Sequence, residues 1–196
     1  MMRVHEEHGG VIGKLLGVLL LLVLLASATL YLYGRQQQPL AVGAVHVATN
    51  HNQIDHSTIV LTKDARVYVA TVVHNDGRLP VTLQGLADLT PSNGALLVPV
   101  AIALGDGKSA GPATSAAFTP IALDPGEGVG VVVTYGPNPE LTCARYGAHP
   151  GAVTDLPPVP LRFTSYGVVG TQSVALGSDA PSVAGITRTQ CERIAG

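Results

Sequence analysis

Short runs of apolar and β-branched residues, each bounded by Gly, Pro, Asn or Asp, recur along the chain from residue 40 onwards. The clearest run is Ala65–Val73, in which every second residue is Val or Thr, so that one face can be buried. No long helical pattern separates these runs. Their spacing predicts an all-β fold, an antiparallel β-sandwich of seven or more strands. The predicted strands cover residues 40–48, 58–61, 65–73, 80–86, 95–104, 118–123, 129–135, 161–165 and 170–176.

Two turn sequences connect the best of these strands. Residues 74–78 (HNDGR) contain Asp-Gly, the strongest short-range signal of a hairpin, and Pro80–Leu86 has the composition of the returning strand. The sequence therefore predicts that the strands 65–73 and 80–86 pair with each other. Residues 124–128 (DPGEG) predict a second tight turn before the Val-rich strand 129–135.

These motifs carry a resemblance to a known class of domain. They are residues 74–77 (HNDG), 80–83 (PVTL), 118–120 (FTP) and 123–127 (LDPGE), together with the alternating strand before them. The chain resembles the immunoglobulin-like extracytoplasmic domains of membrane-anchored bacterial proteins, of the actinobacterial type, many of them without an assigned function. The resemblance covers residues 58–135 well. It implies a fold and a location but no functional residue, and the chain lacks the Trp that antibody-type domains bury.

Residues Leu15–Tyr33 carry no charge, and as a helix they reach about 28 Å, close to the thickness of a bilayer core. Lys14 and Arg3 precede this run and favour a cytoplasmic N-terminus. The small residues 26–28 leave open a cleavable secretory signal, and both interpretations export the remainder. A buried core helix is the third interpretation. The sequence thus predicts a single-pass protein of the cell membrane. Its parts are a cytoplasmic tail (1–14), a transmembrane anchor (15–33), a linker (34–39) and an extracytoplasmic domain (40–196).

The chain has two cysteines, Cys143 and Cys191, and both follow the apolar run. An even number of cysteines in an exported chain predicts a disulfide. We expect this bond to fasten residues 186–191 to the sheet as an edge element. The close C-x-x-C spacing of a redox or metal pair is absent.

Two other polar patterns in the sequence could form chemical sites. His46, His51 and His56 are five residues apart, so only a folded loop could bring them together around Cu or Zn, and solvated loop histidines are the alternative. Residues 107–111 spell G-x-S-x-G, the pattern of a nucleophile elbow, but Pro112 follows where a helix should begin. The sequence therefore predicts no catalytic residue and no cofactor.

The charge pattern excludes one large class of function. The formal net charge is -2, and the basic residues are spread singly, so the chain offers no stripe for nucleic acid phosphates. Aromatic residues make up 4%, which leaves few side chains to stack on bases or sugars. We predict a non-enzymatic interaction or structural module that contacts the membrane and an unknown protein partner. The alternative is an extracytoplasmic Cu or Zn carrier that uses His46, His51 and His56.

Overall fold

The structure is a computed structural model, and it separates the chain into two compact units, residues 1–37 and residues 38–196. The second unit contains the strands of the described residues. The structure describes residues 8–36, 38–50, 54–55, 58–59, 64–88, 95–112, 116–140, 142–149, 151, 154–177 and 180–195.

The first unit contains one helix, α1 (His8–Gln36). Its large apolar side chains face outwards, since Leu15, Leu16 and the residues of Val18–Leu25 are each more than half exposed. Within the described part of the chain, no helix combines the length and the hydrophobicity that crossing a membrane requires. The predicted span 15–33 is therefore not confirmed. The helix includes residues 34–36, which the sequence had assigned to a linker.

Strands of the second unit alternate with turns and loops over the described residues. They are β1 (Leu40–Val42), β2 (His46–Thr49), β3 (Ile54–Asp55), β4 (Thr58–Ile59), β5 (Val67–Asn75), β6 (Val81–Leu86), β7 (Leu97–Leu104), β8 (Ala116–Ala117), β9 (Ile121–Leu123), β10 (Gly128–Pro137), β11 (Thr154–Asp155), β12 (Val159–Ser165), β13 (Val168–Val174) and β14 (Ser182–Val183). A 3-10 turn (Cys143–Arg145) and the helix α2 (Arg188–Ala195) complete the described elements.

Two larger sheets and one small sheet organise these strands. The first sheet has the order β1-β5-β10-β7-β8, and β2 also pairs with β5. The second sheet has the order β13-β12-β6-β9. The small sheet has the order β11-β14-β4-β3, and its β14–β4 pair is parallel, whereas the pairs of the two larger sheets are antiparallel.

The core lies between the two larger sheets. The alternating residues of β5 that were predicted to be buried are at most 1% exposed, and the three valines among them share one cluster with Leu83, Leu161 and Phe163 of the second sheet. Tyr135 of β10 also lies in this cluster, and its hydroxyl donates a hydrogen bond of 2.9 Å to the Pro157 carbonyl. Burial raises the pKa of Tyr135. The prediction of an antiparallel all-β sandwich is confirmed.

The predicted hairpin between residues 65–73 and 80–86 is wrong. β5 pairs with β1, β2 and β10, whereas β6 pairs with β12 and β9, so residues 76–80 lead the chain from one sheet to the other. The side chain of the fully buried Asn75 fixes this crossing. Its Nδ2 donates to the carbonyls of Leu79 (2.9 Å) and Leu123 (3.0 Å), and its Oδ1 accepts from Gly77 N (3.0 Å). Asn-Asp-Gly forms a turn here as the sequence suggests, but the apolar faces of β5 and β6 are buried by facing each other across the core.

A hairpin does occur between β12 and β13. Tyr166 and Gly167 connect the two strands, with φ of 47° and 78°. Positive φ at both central residues is the geometry of a type I′ turn, which matches the twist of the flanking strands. The predicted strands 161–165 and 170–176 correspond to this hairpin, shifted by up to two residues.

Candidate functional site

β13 forms one edge of the second sheet, and it is the longest edge strand among the described strands. Over seven residues it contains no charged residue and no Pro. The opposite edge of the same sheet is β9, which has three residues and lies between Pro120 and the Asp124-Pro125 turn. Proteins commonly protect sheet edges with charges, Pro or short strands, because an exposed edge can pair with another chain. β9 has such protection and β13 does not.

The direction of the free hydrogen-bonding groups on β13 follows from one contact. The Pro160 carbonyl accepts from Ala87 N at 2.8 Å, so this carbonyl faces β6 and not β13. Pro160 lies opposite Ser173 and Arg162 lies opposite Thr171. In an antiparallel pair, two residues that lie opposite each other either both point their N–H and C=O groups towards each other or both point them away. Because the backbone polar groups of Pro160 and Arg162 point towards β6, the residues opposite them on β13 point theirs away from β12. The N–H and C=O groups of Thr171 and Ser173, and by the same alternation Val169, therefore point to the open side.

Gln172 holds the open edge close to the first sheet. Its Oε1 accepts from Leu40 N (2.9 Å) and its Nε2 donates to Leu40 O (2.6 Å). The amide side chain thus replaces a strand at this point, because it satisfies both backbone groups of Leu40. Gln172 is buried, whereas Thr171 and Ser173 on either side of it are exposed. The contact between Gln172 and Leu40 closes the sandwich along β13, and the outward side chains of β13 remain exposed to solvent.

A groove of about 520 Å³ adjoins β13. Four proline rings line it, together with exposed residues of β12 and β13 and the residues that follow β6. Arg162 supplies the positive charge in this groove and Asp88 the negative charge. Among the described residues Arg162 has no ion-pair partner, although Asp88 lines the same groove. The proline residues are Pro99, Pro157, Pro158 and Pro160.

The G-x-S-x-G segment has a structural explanation. Asp106 accepts hydrogen bonds at Oδ1 from Ser109 N (2.6 Å) and Lys108 N (2.7 Å), and at Oδ2 from the Ser109 hydroxyl (2.7 Å). The backbone donors, Ser109 first and then Lys108, lower the pKa of Asp106 to about 2. Gly107 has φ of 73°, and a Cβ there would come within 3.1 Å of the Thr71 carbonyl. The glycine and the serine therefore shape a turn that packs on the first sheet.

Of the three predicted metal ligands, only His46 lies within the described residues. His46 lies on β2 and is exposed, whereas His51 and His56 lie outside the described residues. Within the described part of the chain, no group of three or more His, Cys, Asp or Glu is placed to hold a metal ion. The three-histidine site stays a prediction.

Cys143 and Cys191 form a disulfide, as the sequence predicts, with their Cα atoms 5.5 Å apart. Cys191 is fully buried and belongs to α2, so the prediction that residues 186–191 pack as an edge element of the sheet is wrong. The helix forms because Thr187 and Gln190 cap its first turn. Gln190 Oε1 accepts from Thr187 N (2.7 Å), and Thr187 Oγ1 accepts from Gln190 N (3.2 Å).

The fold and the edge together define a class of molecule: a disulfide-linked antiparallel sandwich with an unprotected edge strand beside a proline-lined groove. No protein family, no curated protein and no solved structure matches the chain.

Sequence reasoning missed the site residues at this edge. Arg162, Gln172 and the proline residues were not singled out, because each type is common on surfaces and its role depends on which strand lies at the edge. One signal was available in the sequence. Residues 168–174 contain no charged residue and no Pro, and Gly167 stands directly before them.

Proposed function

We propose that this protein is a non-enzymatic binding module, carried outside the cytoplasm at a membrane surface, and that β13 binds an extended segment of a partner protein. One observation supports the binding mode: β13 is an edge strand of seven residues without charge or Pro. Strand addition to such an edge is a common mode of peptide recognition, in which backbone hydrogen bonds provide affinity and nearby pockets provide specificity. The groove beside β13 would supply such pockets.

Two further observations support the location. The Cys143–Cys191 disulfide is favoured in oxidising compartments and is uncommon in the cytosol. The leucines of α1 are exposed over about three turns, which is costly in water and favourable in lipid. We propose that α1 attaches the module to the membrane and that the sandwich belongs with the immunoglobulin-like extracytoplasmic domains it resembles.

The location is tested with reporter fusions in a bacterial host. We expect alkaline phosphatase fused after Gly196 to be active, because this enzyme needs disulfides that form only after export. A cytoplasmic reporter at the same position should be inactive. Deletion of residues 1–37 should abolish the phosphatase activity and release the protein into the soluble fraction. Activity of the cytoplasmic reporter on the full chain would contradict the proposed location.

The binding mode is tested at Thr171, whose N–H points to the open side of β13. Thr171→Pro removes this donor without removing a hydrogen bond to β12, so it should weaken binding of a strand-forming peptide about tenfold. Thr171→Val is the matched control, because it keeps the N–H and the β-branched shape. The probe is the peptide fluorescein-Thr-Val-Thr-Glu-Thr-Val-Thr-amide, which carries the dye on its N-terminal nitrogen, and the measurement is fluorescence anisotropy with the full chain in detergent micelles.

Two controls accompany this experiment. The unfolding midpoints of the two variants should agree closely, which shows that Pro has not disrupted the hairpin. A peptide with alternate backbone nitrogens methylated should bind neither variant, because it cannot donate to the edge. Equal affinity of the Pro and Val variants for the unmodified peptide would rule out binding by strand addition at β13.

A further inference from the structure

We infer that the segment bound at β13 carries a carboxylate that pairs with Arg162; this inference rests on the proposed function of the β13 edge. The outward side chains of the β12–β13 hairpin are Pro160, Arg162 and Thr164 on β12 and Val169, Thr171 and Ser173 on β13. Among these six, Arg162 carries the only charge. It is therefore the group on this face that can distinguish partners by charge.

The position of Arg162 suits contact with an added strand. It lies opposite Thr171 on β13. Neighbouring strands are about 4.8 Å apart, so a residue of the added strand level with Thr171 would be about 10 Å from Arg162, measured between backbones. An arginine and a glutamate side chain together bridge such a distance, and the small side chain of Thr171 between them leaves the path open.

On the β6 side, Arg162 lies next to an irregular part of the ladder. The β6–β12 register shifts between Arg162 and Phe163: Arg162 lies opposite Gly85 and Phe163 lies opposite Leu83, so Gln84 is an extra residue in β6. This is a β-bulge, a feature that commonly redirects side chains next to binding sites. Gly85 has φ of 124°, which favours glycine, and it offers no side chain to contact the guanidinium. The exposed Arg162 has no carboxylate partner within the described residues.

A second copy of this chain is a less suitable occupant of the edge. Antiparallel pairing of two β13 strands would bring residues 168–174 of one copy beside those of the other. That segment contains no Asp or Glu, so Arg162 would gain no carboxylate from it. An extended segment of a different protein that contains an acidic residue can pair with the outward N–H and C=O groups of β13 and also with the charge of Arg162.

The test is a charge exchange between Arg162 and the peptide. The peptides are fluorescein-Thr-Val-Thr-Glu-Thr-Val-Thr-amide and its versions with Gln or Lys in place of Glu, and the affinity of each for the full chain in detergent micelles is measured by fluorescence anisotropy. The wild-type protein should prefer Glu over Gln about fivefold, as expected for one exposed ion pair, and should bind Lys most weakly. Arg162→Gln should remove the preference and leave affinity for the Gln peptide unchanged. Arg162→Glu should reverse the preference in favour of Lys.

The control variant is Arg193→Glu, which makes the same change of net charge as Arg162→Glu at an exposed position of α2. It should keep the preference for Glu. Equal affinity of the wild-type protein for the Glu and Gln peptides would overturn the inference about Arg162, while a continued effect of Thr171→Pro would leave the binding edge intact. A dimer in sedimentation that Thr171→Pro dissociates would instead identify a second copy as the occupant and overturn the inference.

Discussion

Asn75→Asp is expected to lower the free energy of unfolding by about 3–5 kcal/mol. The aspartate keeps the acceptor for Gly77 N but loses both donors, so the carbonyls of Leu79 and Leu123 lose their partners. It also places a carboxylate beside these two carbonyls in a fully buried position. Urea unfolding of the full chain in detergent micelles, followed by circular dichroism, measures the change.

The control for this prediction is Asn50, which makes similar hydrogen bonds in an exposed position. Its Nδ2 donates to Asp64 O and its Oδ1 accepts from Arg66 N, both at 2.8 Å. Water can replace these bonds, so Asn50→Asp should cost less than about 1 kcal/mol. A cost for Asn75→Asp as small as that for Asn50→Asp would show that Asn75 does not fix the crossing between the sheets.

The pH dependence of the Asn75→Asp variant gives a second readout. Burial disfavours the charged carboxylate, so the pKa of the introduced aspartate should be higher in the folded state than in the unfolded chain. The charge penalty is then absent below the unfolded pKa and grows as the pH rises towards the folded pKa. The destabilisation by Asn75→Asp relative to wild type should therefore be smaller at acid pH. Asn75→Leu introduces no ionisable group, so its destabilisation should not change with pH in this way.

Removal of the disulfide by Cys191→Ala is expected to lower the free energy of unfolding by about 4 kcal/mol in the chain-entropy model. The bond closes a loop between cysteines 48 residues apart, which restricts the unfolded chain. In the folded state it attaches α2 to the 3-10 turn that contains Cys143. The fully buried Cys191 packs in the same cluster as Ile186, so its loss should loosen the whole segment 184–195.

Hydrogen exchange with mass spectrometry, with and without a thiol reductant, measures this effect. Reduction should increase exchange in residues 184–195 before the sandwich unfolds. Thr187→Ala is the matched control, because it removes the helix cap and about 1 kcal/mol while the disulfide stays intact. Two free thiols in the native protein under non-reducing conditions would contradict the bond itself.

The alternating residues of β5 show what could be predicted from the sequence. A strand with every second residue apolar has one face to bury, whatever its neighbours are, so its existence and its buried face follow from local pattern. The disulfide could also be predicted, because two cysteines allow one pairing. The cap of α2 was present in the sequence as Thr187-Arg188-Thr189-Gln190 but was not recognised.

The choice of strand partners depended on the tertiary structure. Asn75-Asp76-Gly77 forms the same turn whether the chain returns beside β5 or crosses to the other sheet, so the local sequence could not distinguish a hairpin from a crossing. The choice is made by core packing, which buries β5 and β6 against each other, and by the hydrogen bond from Asn75 to Leu123, 48 residues away.

The candidate site depended on the tertiary structure for the same reason. A strand such as β13 is an edge only if no other strand pairs with it, and that is a property of the whole sheet. Arg162 and Thr171 become neighbours through the β12–β13 ladder, and Gln172 reaches Leu40 across 132 residues. The sequence by itself determined most of the longer strands and, for β5, which side of the strand is buried. The tertiary structure decided which strand is left unpaired, because pairing is settled by contacts between residues far apart in the chain.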